Sequence, residues 1–309
     1  MEELNTKVHI TPKFVLKNPV MVASGTFGYG LEFTEFMNIS QIGAIVVKGL
    51  SLKPRAGNPP PRIIETPAGL INAIGLQNIG VEHFVKDKLP ELRRLGATVV
   101  ANIFGERVDE YREVARILDG VEGISAIEVN ISCPNVKKGG LKFGQDPASA
   151  REVVAAVREA TGLPIITKLS PDAPDLKAMI EAVEEAGTDA ISLVNTIPAM
   201  AIDVEKRRPV LSTVTGGLSG PAIKPIALRL VWQAASVAKV PVIGIGGIMN
   251  GRDALEFIIA GARAVQVGTL NLVEPRGAMK VIKEIEAYMR QHRIENIEAL
   301  TGSLVLPEK

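Results

Sequence analysis

The feature that most restricts the fold is an alternation of short apolar runs with longer stretches of helical periodicity, repeated eight times along the chain. The apolar runs are rich in β-branched residues, as buried strands are, and the stretches between them are long enough for helices. Strands that alternate with helices favour a parallel sheet covered by helices. Eight such pairs in 309 residues predict a closed (β/α)₈ TIM barrel, formed by a single domain over residues 1–309.

The predicted strands are each four to six residues long: Val20–Ala23, Ala44–Lys48, Thr98–Ile103, Ala126–Ile131, Ile165–Leu169, Ala190–Val194, Val242–Ile245 and Ala264–Val267. The predicted helices lie between or after them: Glu32–Met37, Val81–Leu95, Asp109–Leu118, Ala148–Ala160, Asp175–Ala186, Pro221–Ala238, Arg252–Ala260 and Pro275–Gln291. The first residues, Lys7–Leu16, are expected to form a hairpin that closes the floor of the barrel.

Two intervals between predicted elements are too long for simple turns. Gly49–Gly80 follows the second strand and is rich in Pro, Gly and Asn, and Ile197–Ser219 follows the sixth strand. Connections of this length in a compact fold are usually functional. Because both follow the carboxyl end of a strand, where barrel enzymes build their active sites, we expect them to be binding loops that include small hairpins.

Polar or glycine residues follow one predicted strand after another, at positions that converge on the mouth of a barrel. Taken singly, each asparagine or glycine is better explained as a turn or cap residue. Two lysines, Lys48 and Lys168, are harder to explain in this way, because each ends an apolar strand and needs an anionic partner there. The pattern therefore predicts an anionic ligand. The positions are Ser24, Lys48, Asn102, Asn130, Cys133, Lys168, Asn195, Thr196, Gly246, Gly247, Gly268 and Thr269.

The last two predicted strands end in glycine-rich segments, Gly244–Gly247 and Val267–Thr269. Glycines let backbone N–H groups approach an anion, and the amino end of a helix attracts one. The loops after strands seven and eight of a barrel commonly bind phosphate. A packing turn is the alternative explanation, but the position of the two segments favours a phosphate site.

The chain has one cysteine, Cys133, which excludes an intrachain disulfide and an iron–sulfur cluster held by this chain alone. A single cysteine is usually a small buried hydrophobic residue, but this one follows a strand in a polar segment, which favours a reactive role. The three histidines, His9, His83 and His292, do not follow predicted strands. No grouping of residues has metal-ligand spacing, so we predict no metal site.

Charge and hydropathy exclude other classes of function. The formal net charge is +1 and no basic tract stands out, so nucleic acid is not an expected partner. No apolar run approaches the ~20 residues that span a bilayer, and the amino-terminal residues do not have the pattern of a signal peptide. We therefore expect a cytoplasmic protein without membrane association.

Nine short blocks resemble the class 1 dihydroorotate dehydrogenases, in the same order and over almost the whole chain. Two of them, GLSLKPRAGNPPPR (residues 49–62) and GGLSGPAIKPIALR (216–229), are more similar to class 1B, the NAD-linked form, than to the fumarate-linked class 1A. The blocks are ASGTFGYG (23–30), VVKGLSLKPRAGNPPPR (46–62), NAIGLQN (72–78), NISCPN (130–135), TKLSP (167–171), VNT (194–196), GGLSGPAIKP (216–225), GIGG (244–247) and VGT (267–269).

The resemblance implies one FMN per chain and a small cyclic carboxylate, dihydroorotate, as substrate. The implied flavin-binding residues are Ser24, Lys48, Gly49, Asn102, Asn130, Lys168, Val194, Gly220, Gly246, Gly247, Gly268 and Thr269. The implied substrate-binding residues are Lys48, Asn72, Ala73, Ile74, Gly75, Leu76, Asn130, Asn195 and Thr196. The amides among them suit an imide edge, because each offers a donor and an acceptor.

The resemblance also implies the chemistry. Cys133 would be the base that removes a proton from C5 while a hydride passes from C6 to the flavin, giving orotate for pyrimidine biosynthesis. Residues 135–144 would close over the substrate. Class 1B enzymes pass the electrons through FAD and a [2Fe–2S] cluster on a partner subunit to NAD⁺, which implies a heterotetramer of two catalytic and two electron-transfer subunits.

Two other functions fit the same sequence features. One is a subunit similar to dihydropyrimidine dehydrogenase, which shares the FMN barrel and a cysteine loop, although Lys48 and the NAIGLQN segment argue against it. The other is a non-catalytic barrel that binds a phosphate-bearing ligand, with an inert Cys133. A flavin spectrum of the purified protein would largely exclude the second alternative.

Overall fold

The computed structural model describes residues 4–132 and 143–307, which contain sixteen strands, numbered here in chain order. They are β1 (Val8–Thr11), β2 (Phe14–Leu16), β3 (Val20–Val22), β4 (Ala44–Val46), β5 (Ile63–Thr66), β6 (Gly69–Asn72), β7 (Val99–Ile103), β8 (Ile124–Asn130), β9 (Ile165–Lys168), β10 (Ala190–Leu193), β11 (Ile197–Met200), β12 (Ile202–Asp203), β13 (Arg208–Pro209), β14 (Thr215–Ser219), β15 (Val242–Ile245) and β16 (Ala264–Val267).

Nine α-helical segments follow the same numbering within the described residues. They are α1 (Val81–His83), α2 (Leu89–Arg94), α3 (Val108–Leu118), α4 (Pro147–Ala160), α5 (Leu176–Glu185), α6 (Lys224–Val237), α7 (Gly251–Ile259), α8 (Leu270–Val273) and α9 (Gly277–His292). A π-helical turn, Phe84–Lys88, joins α1 to α2. The side chains of Asp146, Asp175 and Asn250 accept hydrogen bonds from backbone N–H groups in the first turns of α4, α5 and α7, which favours helix initiation there.

Eight of the strands form a closed parallel barrel in the order β10-β15-β16-β3-β4-β7-β8-β9. The predicted (β/α)₈ fold is therefore confirmed, and each predicted barrel strand overlaps an observed one with ends that agree within two residues. The barrel strands are almost entirely buried, because each packs against helices outside and against other strands' side chains inside. Their aliphatic residues form one continuous core with the buried faces of the helices.

The predicted hairpin at the start of the chain is confirmed. Strands β1 and β2 pair antiparallel, and Val8, Ile10, Phe14 and Leu16 are buried in the core just before the amino end of β3. The hairpin thus covers the amino-terminal end of the barrel, the face opposite to the mouth.

The helix predicted over Glu32–Met37 is wrong. Only a single 3₁₀ turn, Leu31–Phe33, forms there, and turns continue to Met37. The Thr34 hydroxyl donates to the carbonyl of Leu31, a local bond that competes with helix propagation in so short a segment. The short helix α8, after the last barrel strand, was not predicted.

The two long intervals at the mouth combine into one antiparallel sheet. Its strand order is β11-β14-β6-β5. The hairpin β5–β6 of the first interval thus pairs with β11 and β14 of the second interval. The pairing of Leu218 with both Ile71 and Ile197 joins the two intervals. The sequence predicted small hairpins in these intervals but not their union, because pairing between segments about 145 residues apart leaves no local pattern.

Within the part of the chain that the structure describes, no helix combines the length and the apolar character needed to cross a membrane.

The sheet at the mouth depends on the absence of a side chain at position 216. A Cβ at Gly216 would lie 2.6 Å from the carbonyl oxygen of Asn72 and 2.8 Å from side-chain atoms of Ile71 and Leu211. We expect Gly216→Ala to lower the free energy of unfolding by about 1–3 kcal/mol, because backbone atoms must move to admit the methyl group. Urea unfolding monitored by circular dichroism would measure it.

The matched control is Gly162→Ala, because a Cβ at Gly162 meets nothing within 4 Å. Its free energy of unfolding should stay within about 0.5 kcal/mol of the parent value. Equal effects of the two substitutions would contradict the close approach at Gly216.

Candidate active site

The residues predicted from the strand ends do converge on one end of the barrel. Ser24 follows β3, and Lys48 and Gly49 follow β4. Asn102 is the next-to-last residue of β7, and Asn130 is the last residue of β8. The others lie at the ends of the remaining barrel strands or on the sheet above them. They are Lys168, Val194, Asn195, Thr196, Gly246, Gly247, Gly268 and Thr269 at the strand ends, and Asn72 and Gly220 on or beside the sheet.

Lys48 is a half-buried cation without an acidic or hydrogen-bonding partner among the described residues. Burial lowers the pKa of Lys48, and the positive charge of nearby Arg62 lowers it further. Arg62 donates to two neutral oxygens, those of Asn58 and Gln77, and has no acidic partner among the described residues. A bound carboxylate or phosphate would stabilise these two neighbouring cations. The sequence reasoning had singled out Lys48 and had missed the contribution of Arg62.

A carboxylate that the sequence reasoning missed occupies the lumen of the barrel. Glu128 is 0% exposed and receives polar side chains from four other strands. Asn102 Nδ2 donates to its Oε1 at 2.7 Å, and Lys168 Nζ lies 3.8 Å from the same oxygen. Ser192 Oγ and Gln266 Nε2 donate to Oε2 at 2.9 and 2.6 Å. Since β16 lies opposite β8 in the closed order, the contact of Gln266 spans the lumen.

A signal for this cluster was present in the sequence. Glu128 stands within Ala126–Val129 and Gln266 within Val265–Val267, each a polar residue inside an apolar strand. A buried charge needs a partner, so the two exceptions could have been paired with Lys168 as inward-facing groups. What the sequence could not indicate is that strands on opposite sides of the barrel bring them into contact.

The hydroxyl of Ser132 links two of the predicted substrate-binding amides. Ser132 Oγ donates to Asn130 Oδ1 at 2.7 Å and accepts from Asn195 Nδ2 at 2.6 Å. The oxygen of Asn195 in turn accepts from the backbone N–H of Thr196 at 2.8 Å. Because its oxygen already accepts from Ser132, Asn130 is left with its Nδ2 group as a donor. The site thus has defined amide orientations before any ligand binds.

The segment Asn72–Leu76 forms one wall of the mouth. Asn72 Nδ2 donates to the carbonyl of Gly217 at 3.3 Å, and Gly217 lies directly against the Thr196 side chain. Asn58 holds the segment from the other side, since its backbone N–H donates to Ile74 and its Nδ2 to Ala73. All five residues of the segment are half-buried, so they remain accessible from the mouth.

The glycine-rich end of the site is built by close backbone packing. A Cβ at Gly247 would lie 2.8 Å from the carbonyl oxygen of Gly220, and both glycines have positive φ angles. Thr269 Oγ1 donates to Ser219 Oγ at 2.8 Å and ties the last strand to the sheet above the mouth. These contacts bring the loops after β15 and β16 together beside Gly220. That these loops bind phosphate stays a prediction.

An ion-pair cluster braces this end from outside. Lys224 Nζ lies 2.6 Å from Asp253 Oδ1 and 2.9 Å from Glu256 Oε2, which connects the first turns of α6 and α7. Burial opposes the charge on Lys224, but the hydrogen bonds to Asp253 and Glu256 outweigh burial and raise its pKa. The other oxygen of Asp253 accepts from the backbone N–H of Met249. Lys224 is therefore a structural brace, already neutralised by its partners.

Beside the last strand the mouth is open. A Cβ at Gly268 would have only ordinary contacts, 3.7 Å to Ala23 and 3.9 Å to Thr26, and one at Gly25 would lie 3.7 Å from Lys48 Nζ. Among the described residues, three buried side-chain oxygens have no hydrogen-bond donor: those of Asn102, Gln266 and Asn271. Two of the three belong to amides that donate to Glu128.

Cys133 and residues 134–142, which include the predicted base and most of the predicted closing segment, lie outside the described residues. The residues on either side of them have defined contacts. Ser132 is held by Asn130 and Asn195, and Phe143 packs edge-on against Tyr111 with 5.8 Å between ring centroids.

The histidines lie away from this site. His9 is exposed and contacts Glu298, and exposed His83 contacts Asp87 on the following helical turn. His292 packs against the ring of Tyr288 at the end of α9. Their positions agree with the sequence expectation that none follows a barrel strand.

A surface cavity of about 640 Å³ lies outside the ring of strand ends, between residues 51–55 and the start of α3. Its three arginines are paired with acidic side chains: Arg55 with Glu106 at 2.6 Å, Arg107 with Asp109, and Arg112 with Glu159. Its lysine, Lys53, is exposed, whereas Lys48 at the mouth is half-buried, and this burial distinguishes the ring of strand ends from the cavity.

Comparisons with known proteins agree with the geometry. The sequence profile of the dihydroorotate dehydrogenase family matches residues 5–289. A relative from Geobacter sp. (strain M21) is 57% identical over 291 residues, 94% of this chain and 95% of the relative. A relative from Trichlorobacter lovleyi is 58% identical over 289 residues, with the same coverage of both chains.

Both relatives are named as the catalytic subunit of dihydroorotate dehydrogenase B (NAD(+)). A family match over most of the chain, together with identity above half, agrees with a closed barrel whose polar residues meet at one mouth. The chain belongs to the dihydroorotate dehydrogenase family.

Proposed function

We propose that this protein is the FMN-bearing catalytic subunit of an NAD-linked dihydroorotate dehydrogenase, and that it oxidises dihydroorotate to orotate for pyrimidine biosynthesis. The observation that carries the proposal is the half-buried ammonium of Lys48 beside Arg62, which has no acidic partner within the described part of the chain. A substrate carboxylate would neutralise this charge. A neutral dihydropyrimidine could not, which favours dihydroorotate over the substrate of a dihydropyrimidine dehydrogenase-like enzyme.

Amides around the mouth complement the rest of such a substrate. The oxygen of Asn130 accepts from Ser132, and its Nδ2 group has no acceptor among the described residues. Asn72, Asn195 and Thr196 lie on the neighbouring wall. Amide groups pair well with the alternating N–H and C=O groups of an imide edge. These side chains would bind and orient the ring, while Lys48 binds its carboxylate.

The residues on the opposite side of the mouth fit FMN. Backbone around Gly246, Gly247, Gly268 and Thr269 would hold its phosphate, and the open space at Gly268 gives the phosphate room. The buried, donor-free oxygen of Asn102 suits a ligand that carries an N–H group. Ser24, Gly49, Val194 and Gly220 complete the proposed flavin-binding set.

When bound, FMN would supply a hydride acceptor for C6 of the substrate. This chain would supply the base, for which we propose Cys133, the residue directly after the Ser132 hub that orients Asn130 and Asn195. The thiolate of Cys133 takes the proton from C5. The ammonium of Lys168 would lie at the floor of the site, where it could stabilise the negative charge that a bound flavin would gain on reduction.

The electrons must then leave through another protein. We propose a partner subunit with FAD and a [2Fe–2S] cluster that delivers them to NAD⁺, in a cytoplasmic heterotetramer of two catalytic and two electron-transfer chains. The single cysteine of this chain supports the proposal, because such a cluster usually needs four protein ligands. The name of the relatives, a catalytic subunit, also supports a separate second subunit.

Replacing Lys48 should weaken substrate binding, while the other residues of the site still bind the flavin. We expect Lys48→Ala to weaken orotate binding about 10- to 100-fold, because a hydrogen bond to a charged group contributes about 1.5–3 kcal/mol. Titration of the flavin absorbance with orotate would measure this, after FMN content has been determined independently.

Lys53→Ala is the matched control, since Lys53 is an exposed lysine five residues along the same segment. Its orotate affinity should equal that of the parent protein. Unchanged orotate affinity in Lys48→Ala would remove the proposed carboxylate contact, and faster turnover of dihydrouracil than of dihydroorotate would favour the dihydropyrimidine dehydrogenase-like alternative.

Dependence on a partner is testable with the isolated chain. With dihydroorotate it should reduce an artificial electron acceptor but not NAD⁺ at a comparable rate, because the proposed route to NAD⁺ passes through cofactors on another subunit. Parallel assays with the two acceptors would measure the ratio. Efficient NAD⁺ reduction by this polypeptide alone would overturn the proposed division between subunits.

The proposed role of Cys133 predicts a loss of rate without a loss of ligand binding. General-base catalysis contributes about 10²–10⁴-fold, so anaerobic stopped-flow on Cys133→Ala should show flavin reduction slowed by that factor. Cys133→Ser should retain part of the rate, and the parent rate should rise with pH as a thiol of ordinary pKa, ~8.5, ionises. Near-parental flavin reduction in Cys133→Ala, with orotate still bound, would eliminate this cysteine as the base.

A further inference from the structure

Glu128 is the one fully buried acidic residue among the described residues, and it has no place in the function proposed above. Its two oxygens receive three hydrogen bonds and one ion pair, from side chains on β7, β9, β10 and β16. A carboxylate is expensive to bury, and an apolar side chain could fill the same lumen. Packing alone therefore does not explain why an acidic residue stands at position 128.

The first consequence of Glu128 concerns the amide of Asn102. Asn102 Nδ2 donates to Oε1 of Glu128, so the Oδ1 of the same amide is turned away from Glu128. That oxygen is buried and has no donor among the described residues, and a Cβ on Gly49 would lie 2.9 Å from it. Asn102 is thus held as a hydrogen-bond acceptor at the carboxyl end of β7.

The second consequence concerns Lys168, which is 4% exposed. Its only anionic neighbour within the described part of the chain is Glu128, 3.8 Å away, too far for a direct hydrogen bond. The ammonium therefore keeps its donors for another group, while the carboxylate balances its charge. Together the two residues leave the floor of the site close to neutral.

We infer that Glu128 is a positioning residue for the cofactor site: it is the counter-charge of Lys168, and it fixes the amide of Asn102 with its oxygen free for a ligand. This inference rests on the flavin site proposed above. By offsetting Lys168, Glu128 limits how strongly the site favours a flavin that has gained negative charge on reduction.

The substitution Glu128→Gln removes the negative charge at position 128 and can keep its hydrogen bonds. The new amide can keep its oxygen toward Asn102 and Lys168 and turn its NH₂ group toward Ser192 and Gln266. The hydroxyl of Ser192 can accept as well as donate, and Gln266 can rotate to offer its donor-free oxygen. The geometry of the lumen can therefore survive while one negative charge is lost.

The experiment measures the midpoint potential of bound FMN by anaerobic dye equilibration. Without the negative charge, reduced flavin should bind about tenfold more tightly relative to oxidised flavin, which raises a two-electron potential by about 30 mV. An unchanged or lower potential in Glu128→Gln would overturn the inference. If the parent chain binds no FMN at all, the proposed function fails first, so the two failures are distinguishable.

Ser192→Ala is the matched control. It removes one donor to Oε2 and keeps both the charge and the contacts of Oε1 with Asn102 and Lys168. We expect it to lower the urea midpoint of unfolding and to leave the flavin potential at the parent value. An equal rise in potential in Ser192→Ala would assign the effect to general loosening of the lumen and would overturn the inference.

A second variant covers the case in which Glu128→Gln does not fold, since it leaves Lys168 buried without a counter-charge. In Glu128→Gln combined with Lys168→Met both charges are absent, so the cost of an unpaired buried charge disappears. The flavin-free double variant should then fold and show a cooperative unfolding transition in urea. A double variant that fails to fold, as the single variant does in this case, would contradict the pairing of the two residues.

Discussion

Closure of eight parallel strands is the constraint on which the rest of the structure depends. In a closed parallel barrel every strand is buried on both sides, and all carboxyl ends meet at one rim. The inward side chains must then fill a lumen only a few side chains wide. At the level of Glu128 the lumen holds a polar cluster that reaches from β8 across to Gln266 on β16.

That cluster determines the charge at the floor of the mouth. Removing one member of a buried ion pair typically costs about 3–5 kcal/mol, so Glu128 and Lys168 each stabilise the other inside the barrel. Lys48 stands in contrast, because no acidic side chain among the described residues lies beside it and burial already lowers its pKa. One lysine is thus balanced from within the protein, whereas the other is left for a ligand. The floor of the mouth, at Glu128 and Lys168, is therefore close to neutral, and its wall at Lys48 is positively charged.

Much of the fold could be predicted from the sequence, because the strands and the residues that end them leave a local pattern. The barrel strands were predicted within two residues because a strand buried on both faces leaves a continuous β-branched run, and Lys48 and Lys168 stood out because they end such runs. The helix expected over Glu32–Met37 was wrong, since a few residues of helical periodicity do not outweigh a local hydrogen bond from Thr34. The assigned roles of the site residues, including Cys133, stay predictions that the experiments above address.

The sequence by itself determined the order of the elements, the closed parallel architecture and the convergence of polar residues on one rim, because each follows from periodicity and from where strands end. Only the tertiary structure decided which of those residues touch. The pairing of Asn102 with Glu128, the link through Ser132 and the joining of the two inserted segments into one sheet connect parts of the chain whose relative placement depends on barrel closure. Contacts across a lumen or between distant insertions leave no periodic trace in the chain, so they emerge only when the barrel is closed.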